Sequence, residues 1–338
     1  MEDLRKLCSI NAVSGNEYSI SKYIKNYIAE FCDKSYIDEI GNVIGYIDNK
    51  SNINILLEAH IDQIGLVVKE INKNGFIKFI NCGGIDLKIL PAAEVTVHGK
   101  KDVFGVIGST PPHLQNAKSG NISDKIDNYY IDCGYSYKDI SKIVSVGDTI
   151  SFNSEFKNMQ NGFITSKSLD NRIGVYVLTE CIKQLYKRKS KYNLTALFSS
   201  QEEIGSAGAI RSISKIKPDI AVVVDVTFGV SPDTSRENGF NLSEGITVAA
   251  GPSLDLELNE KFMNHCKSKN IPFAKEVCPD NTGTNAWYIQ DFGRGTRCIL
   301  VSIPIRYMHS FVEVANESDI KFAVDAIVSA LKEGVFDA

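Results

Sequence analysis

Short polar segments that carry acidic residues or histidine occur at widely separated points of the chain, most of them directly behind apolar, β-type runs. Polar groups at the ends of buried strands are costly unless they have a purpose, and ligands of open α/β sheets collect at the carboxyl ends of the strands. There are five such segments, and four follow an apolar run: 59–62 (AHID), 168–171 (SLDN), 201–205 (QEEIG), 224–227 (VDVT) and 307–310 (YMHS). We therefore expect a sheet whose strand ends bring these segments together.

The periodicity of apolar residues divides the chain into parts with different predicted secondary structure. Residues 18–31 have helical spacing, and strand-like runs follow. Between about 67 and 158, short β-type runs alternate with turn residues, which is typical of a small all-β module. After about residue 162, strands alternate again with helices. This order predicts a three-layer α/β domain, formed by residues 1–66 and 159–338, that is interrupted by a β insertion over 67–158.

The individual elements follow from the same patterns. Strands are predicted at about 36–47, 53–62, 76–80, 94–98, 103–107, 129–133, 148–152, 193–200 and 220–226. A second helix is predicted over 171–188. The polar stretch 115–128 lacks periodicity, and we expect a mobile loop there.

Composition and charge limit the class of protein. The 338 residues include 37 Lys and Arg against 41 Asp and Glu, and no basic stripe with interleaved aromatic residues occurs, so nucleic acid is not an expected partner. No apolar run approaches the roughly 20 residues that cross a bilayer, and the first residues do not resemble a signal peptide. We expect no membrane contact and a cytoplasmic location. The eight cysteines are widely spaced, and we expect reduced thiols.

His60 and Asp62 end a strand-like run and are two residues apart, so their side chains point to the same face of a strand. A neutral imidazole binds zinc well, and a carboxylate usually orients its other ring nitrogen, a position that Asp62 suits. The alternative is a hydrogen-bonded pair without metal. The other three histidines share no strand end with carboxylates and are not assigned to a metal: His98, His113 and His265.

Adjacent glutamates follow another apolar run, and two buried carboxylates need something that neutralises them. The side chains of Glu202 and Glu203 diverge, so one can bind metal while the other faces a substrate water as general base. The alternative is a solvated turn. Asp170 suits a helix N-cap equally well, and Asp225 and His309 each lie behind or within an apolar run. Each residue alone fits a structural role, but together they favour a two-metal hydrolase.

In this order and spacing, the motifs resemble those of the tetrahedral, or TET-type, metallo-aminopeptidases of metallopeptidase family forty-two. That family includes glutamyl and deblocking aminopeptidases, and some members have been labelled cellulase M or endoglucanase. The matching segments span nearly the whole chain: 14–15, 59–62, 107–113, 169–172, 201–205, 225–227 and 304–310. The resemblance implies a phosphorylase/hydrolase-like α/β/α catalytic domain with a PDZ-like barrel as insertion. It also implies homo-oligomers, in which dimers formed through the insertion assemble into hollow twelve-subunit particles.

The resemblance further implies a ligand set for two divalent metal ions. His60 and Asp225 would be terminal ligands of one ion, and Glu203 and His309 would hold the other. Asp170 would bridge the two, and in the family a cis peptide bond often follows this residue. The ions would be zinc or cobalt, with manganese as a further candidate, because sites of histidine and carboxylate accept all three.

The resemblance gives the remaining roles to Glu202 as general base and to Asp62 as the residue that orients His60. A water held between the two ions would be the nucleophile, and the substrate would be a peptide with a free N-terminus. One departure is at residues 283–286, GTNA, where the family usually has GTDA. Asn285 keeps the shape and loses the charge, so a role of this position in substrate recognition would change preference or rate.

Two other interpretations are left open. A glycoside hydrolase would use two carboxylates without metal, but the adjacent Glu202 and Glu203 are poorly suited to opposite sides of a glycosidic bond. The chain also has a single tryptophan, Trp287, for a sugar cleft. A non-catalytic scaffold that binds metal would not need Glu202. Sensitivity to chelators and release of N-terminal residues distinguish these alternatives.

Overall fold

The computed structural model describes residues 1–109, 125–187, 189–232, 234, 239–292 and 295–337. His113 and residues 115–124 of the predicted loop lie outside these ranges. The strands are Lys34–Ile37 (β1), Val43–Ile47 (β2), Asn54–His60 (β3), Gly65–Ile71 (β4), Ile77–Cys82 (β5), Glu94–His98 (β6), Asp102–Ser109 (β7), Tyr129–Asp132 (β8), Thr149–Phe152 (β9), Lys157–Asn158 (β10), Phe163–Ser166 (β11), Asn193–Ser199 (β12), Ile220–Phe228 (β13), Ile246–Ala250 (β14), Phe273–Val277 (β15), Arg297–Ile305 (β16) and Glu313–Asn316 (β17). The helices are Glu2–Ser9 (α1), Tyr18–Ile28 (α2), Tyr137–Ile140 (α3), Leu169–Leu185 (α4), Ala207–Ile216 (α5), Leu256–Ser268 (α6), Asn285–Asp291 (α7) and Glu317–Glu333 (α8).

The main sheet has eight strands in the order β1-β2-β12-β3-β13-β16-β14-β15. Its four central strands, β12, β3, β13 and β16, run parallel to one another. Their registers pair Ser199 with His60 and Asp225 with Ser302, so the carboxyl ends of the four strands lie at one edge of the sheet. This edge is where polar residues behind the apolar runs come together.

Helices cover both faces of this sheet, because its central strands are apolar on both sides. In β3, Ile55, Leu57 and Ala59 belong to one buried cluster, which also contains side chains of α1, α2, α4, α6 and α8. Leu56 faces the opposite cluster, which contains side chains of α5 and α7. The three-layer α/β architecture predicted from the sequence is therefore confirmed.

The predicted β insertion contains a closed barrel with the strand order β4-β5-β8-β7-β6-β9. Along β7 the side chains alternate between exposed and buried, with Val103 and Ile107 inside and Phe104 outside. The barrel has its own buried cluster, separate from those of the main sheet. A small antiparallel sheet, β10-β11-β17, joins the segment behind the barrel to the end of the chain.

Several predicted elements differ in extent. The run at 36–47 is two strands, because Asp38 accepts hydrogen bonds from the backbone amides of Ile40 and Asn42 and makes a turn. The first predicted helix ends at Ile28, and the second begins at Leu169 and ends at Leu185. All eight cysteines are free. No helix in the described part of the chain is long and apolar enough to cross a membrane.

Candidate metal centre

The five predicted metal ligands lie around one cavity of about 390 Å³ at the carboxyl edge of the main sheet. His60 is the last residue of β3, and Asp225 lies near the end of β13. Asp170 lies at the start of α4, Glu203 in the loop behind β12, and His309 in the turn between β16 and β17. Parallel strand ends therefore bring together side chains that are far apart in the sequence.

Asp170 stands between two groups of potential ligands. Its Oδ1 lies 3.1 Å from Nε2 of His60, which is 3.8 Å from Oδ1 of Asp225. Its Oδ2 lies 3.4 Å from Nε2 of His309, which is 3.4 Å from Oε2 of Glu203. In each group the three ligand atoms are within 4.8 Å of one another. The sequence left open an N-cap role for Asp170, but its carboxylate instead faces the two imidazoles.

The charges of the site call for a cation. Burial raises the pKa values of Glu203 and Asp225 well above their usual range, and the charge of Asp170 raises both further. Burial alone would raise the pKa of Asp170 as well, but His309 and His60 hold it below its usual value. Desolvation opposes a charge on His60, yet Asp170 and Asp62 raise its pKa well above the usual value. Buried carboxylates this close together are stabilised by positive charge, which a divalent cation can supply.

The donor set fits such cations. Imidazole nitrogen and carboxylate oxygen are common ligands of zinc and related divalent ions. Ligand atoms of a tetrahedral zinc ion, about 2.0 to 2.2 Å from the metal, are roughly 3.4 Å apart. The distances of 3.1 to 3.8 Å between neighbouring ligand atoms agree with this spacing. The residues present therefore suit divalent metal ions.

Asp62 is fully buried and supports the loop that carries the two glutamates. Its Oδ1 accepts a hydrogen bond from the amide of Glu202 at 3.0 Å, and its Oδ2 accepts one from the amide of Glu203 at 3.1 Å. Ser14 Oγ also donates to Oδ2, at 2.5 Å. The same Oδ1 lies 3.4 Å from Nδ1 of His60. Asp62 therefore contacts both His60 and the backbone of the Glu202–Glu203 loop, and the second contact was not predicted.

Glu202 lines the cavity but belongs to neither ligand group. Burial raises the pKa of this carboxyl to about 7; the charge of His60 opposes the shift, and those of Asp62 and Asp170 add to it. A carboxyl that lines the cavity and belongs to neither ligand group is placed as a general base must be.

Glu313 was missed by the sequence analysis. This residue is 1% exposed, and its Oε2 accepts a hydrogen bond from the amide of Asp170 at 3.1 Å. Its Oε1 accepts one from the amide of His309, also at 3.1 Å. Burial raises its pKa well above the usual value, and the charge of Asp170 adds to the effect. An acid inside an apolar run four residues behind His309 is the signal that could have found it. The peptide bond between Asp170 and Asn171 is cis, as the family resemblance implied.

Two of the remaining histidines, His98 and His265, lie away from this site, and His113 is outside the described residues. His98, in the barrel, is 2.8 Å from Asp102 and 2.9 Å from Ser151 Oγ. His265 of α6 is 2.8 Å from Ser329 Oγ of α8. Neither of these two lines the cavity. Asn285 is buried at the start of α7 and does not line the cavity either.

Comparison with known proteins places this architecture in a family. The sequence profile described as M42 glutamyl aminopeptidase matches residues 41–325. The lysyl aminopeptidase of Pyrococcus furiosus is 30% identical over 337 residues, which cover 98% of this chain and 96% of that protein.

Solved structures of aminopeptidases also resemble this fold over nearly the whole chain. Aminopeptidase APDkam598 from the archaeon Desulfurococcus kamchatkensis superposes with a TM-score of 0.91 at 30% identity, over 98% of this chain and 94% of that one. The TET1 peptidase of Pyrococcus horikoshii, described as able to assemble into a tetrahedron or a large octahedral shell, has a TM-score of 0.87 at 29% identity, over 98% and 99% of the two chains. A metallopeptidase family implies divalent metal cofactors, in agreement with the two ligand groups. With a family profile matched over most of its length and relatives aligned from end to end, this chain belongs to the M42 glutamyl aminopeptidase family and is a metallo-aminopeptidase.

Proposed function

We propose that this aminopeptidase hydrolyses the first peptide bond of peptides at a centre of two divalent metal ions. The observation that carries the proposal is the position of Asp170, whose two carboxylate oxygens lie 3.1 Å and 3.4 Å from two different imidazoles. One carboxylate facing two ligand groups is the arrangement that a pair of neighbouring ions requires. A single ion would leave one of the two groups without a cation.

Each ion would have its own ligands. His60 and Asp225 would hold one, Glu203 and His309 the other, and Asp170 both. Zinc or cobalt suits these donors, and manganese is a further candidate. When bound, the ions supply Lewis acidity, which lowers the pKa of the attacking water and polarises the scissile carbonyl.

The chain's own residues would then move the proton and keep the geometry. Glu202 is free of the ligand groups, so its carboxylate would take the proton of the attacking water and deliver it to the leaving amine. Asp62 would hold the backbone of Glu202 through the 3.0 Å hydrogen bond and would face the second nitrogen of His60. Such support keeps the reacting groups in place during turnover.

We also propose a division of labour along the chain, with residues 1–66 and 159–338 as the catalytic domain and 67–158 as the oligomerisation domain. Among the described residues of the barrel strands, the apolar side chains of Ile80, Phe104 and Val106 are 45%, 57% and 41% exposed. Burial of such a surface between two copies would give a dimer, and assembly of dimers would give a twelve-subunit particle. Light scattering on the wild type and on Phe104→Glu measures this, and a monomeric wild type would contradict it.

The experiment for the metal centre is reconstitution of the apoprotein. After treatment with a chelator, the wild type is titrated with zinc, cobalt or manganese, and bound metal is compared with the rate of release from leucine p-nitroanilide. We expect two equivalents of metal per chain and recovery of turnover. Asp170→Asn should lower both. Asp102→Asn, which removes a carboxylate from the contact with His98 in the barrel, is the matched control and should lower neither.

The outcomes separate the competing interpretations. Full activity of Asp170→Asn, or of wild type with a single equivalent of metal, would contradict the two-metal proposal. Cleavage of a β-glucan in the presence of chelator, without release of any N-terminal residue, would instead support a glycoside hydrolase.

A further inference from the structure

Glu276 lines the same cavity as the candidate metal ligands but belongs to neither ligand group. It lies in β15, a strand at one edge of the main sheet. Strands β16 and β14 separate β15 from β13. Its side chain extends back toward β13, where Oε1 accepts a hydrogen bond from Thr227 Oγ1 at 2.7 Å. Its Oε2 accepts one from Thr247 Oγ1 of β14 at 2.8 Å. Two threonines thus fix the position of this carboxylate.

The carboxylate of Glu276 has capacity for a further partner. A carboxylate has about four acceptor positions, and the two threonine hydroxyls use two of them. Among the described residues that line the cavity there is no lysine or arginine. A cation that binds Glu276 would therefore come from outside this lining.

The balance of charge in the cavity also favours a cation at Glu276, if the two metal ions of the proposed function are bound. Two divalent ions carry a charge of +4, and Asp170, Glu202, Glu203 and Asp225 together carry −4 when ionised, so these groups balance. Of the carboxylates that line the cavity, Glu276 is then the one that the two ions do not need for balance. A substrate side chain with a positive charge would compensate it, whereas an acidic one would be repelled.

The position of Glu276 suits the side chain of a substrate better than its backbone. Asp225 and Thr227 are two residues apart on β13, so they face the same side at about 7 Å from one another. The scissile carbonyl must lie at the ligand groups, and Glu276 lies beyond them at Thr227. The four-carbon stem of a lysine is long enough for this separation. Phe228 and Met308 also line the cavity and offer apolar surface to such a stem.

We propose that Glu276 makes this enzyme selective for peptides whose N-terminal residue is lysine or arginine. Thr227 and Thr247 act as positioning residues that hold its carboxylate toward the cavity. The inference rests on the proposed function and names the substrate class of the same site.

The test compares lysine with norleucine, which has nearly the same length and no charge. For the metal-loaded wild type we expect kcat/KM to be at least about tenfold higher for the lysine p-nitroanilide than for the norleucine one. Glu276→Gln keeps an amide of the same shape and should lower this ratio by about tenfold or more. Glu276→Lys should reverse the preference toward glutamate. Glu244→Gln removes a carboxylate outside this cavity and should leave the ratio unchanged.

Binding of products gives a readout that does not depend on turnover. We expect L-lysine to inhibit the wild type more strongly than L-norleucine, and this difference to disappear in Glu276→Gln. If Glu276→Gln lowered kcat/KM for both substrates by the same factor, the carboxylate would hold the α-amine and the inference would be wrong. An unchanged ratio at unchanged rates would overturn it while leaving the proposed function intact. If no substrate lost its N-terminal residue in any metal form, the proposed function would fail and the inference with it.

Discussion

Asn285 donates a hydrogen bond from Nδ2 to Oε1 of Glu58 at 2.7 Å, and both side chains are buried. Ser199 Oγ donates to the same oxygen at 2.6 Å. Burial raises the pKa of Glu58 to about 7, and the two hydrogen bonds and the charge of His60 limit the shift. The amide of Asn285 thus binds a neighbouring side chain, and Asn285 does not line the cavity. The asparagine at this position is explained by Glu58, because an aspartate here would put a second carboxyl against a buried one.

We therefore predict that Asn285→Asp destabilises the protein by roughly 1 to 3 kcal/mol at pH 8, where both carboxyls would be ionised. Glu58→Gln removes one of the two charges, so the double variant should regain most of this loss. The measurement is urea-induced unfolding of the four proteins of the double-mutant cycle without metal. Asn74→Asp, in an exposed turn, is the control for a new charge. Additive effects of the two substitutions would contradict the prediction.

The neighbouring residues Glu202 and Glu203 should respond differently to the same substitution. Glu203 is 3.4 Å from His309 and belongs to a ligand group, whereas Glu202 belongs to none. Glu202→Gln should keep two equivalents of metal and lower kcat by about 10² to 10⁴, the usual contribution of a general base. Glu203→Gln should lose one equivalent. Metal analysis and steady-state kinetics measure both. Near-normal peptide turnover in Glu202→Gln would refute its role as base.

Glu313 should affect metal affinity without contacting metal. Its two oxygens accept the amides of Asp170 and His309, so Glu313→Gln places an amide NH₂ against one of these N–H groups. The two ligands should then shift, and metal affinity should fall by about 10- to 100-fold, as is usual for residues that orient metal ligands. Competition with a chelator gives the affinity. Unfolding of the apoprotein is measured beside it, and a loss of affinity that only follows a loss of folded protein would contradict the prediction.

Much of the fold could be predicted from the sequence, because its strongest patterns are local. The run before His60 and the run at 220–226 are nearly all apolar because both faces of their strands are buried, and they identify the central sheet. Strand β6 was predicted with the bounds that it has, since turn residues flank it on both sides. The turn that divides β1 from β2 was missed, because it depends on hydrogen bonds of one side chain, Asp38.

The candidate ligands could be predicted for a similar reason. Polar residues behind several parallel strands must meet at one edge, whatever lies between them in the sequence. The supporting residues depend on contacts across the fold that leave no local pattern. Glu313 binds the amide of Asp170 across 143 positions, and Glu58 binds Asn285 across 227. An acid within an apolar strand was the available signal in both cases, but it does not identify the partner.

Glu17 provides a test of how much the burial of a charged carboxylate near the site lowers the free energy of unfolding. This residue is 4% exposed, and its Oε1 accepts hydrogen bonds from the amides of Gly15 at 2.8 Å and Gln201 at 3.2 Å. Burial raises its pKa to about 7, although the amide of Gly15 opposes the shift; the charge of Asp62 adds to it. Both hydrogen bonds end on one oxygen, so a glutamine at this position can keep them.

The sign of the pH dependence follows from linkage. Between pH 4.5 and about 7 the folded protein holds a proton on Glu17 that the unfolded chain has lost, so the free energy of unfolding falls as pH rises through this window. Above pH 7 the loss is complete, and Glu17→Gln, which has no charge to bury, should be more stable than wild type by roughly 1 to 3 kcal/mol. At pH 5 the two should differ little. Urea unfolding of the metal-free proteins at pH 5 and pH 8 measures this, with the exposed Glu30→Gln as control. Glu17→Gln keeps the hydrogen bonds. If the free energy of unfolding fell equally in wild type and Glu17→Gln between pH 5 and pH 8, the buried charge of Glu17 would not be what limits stability.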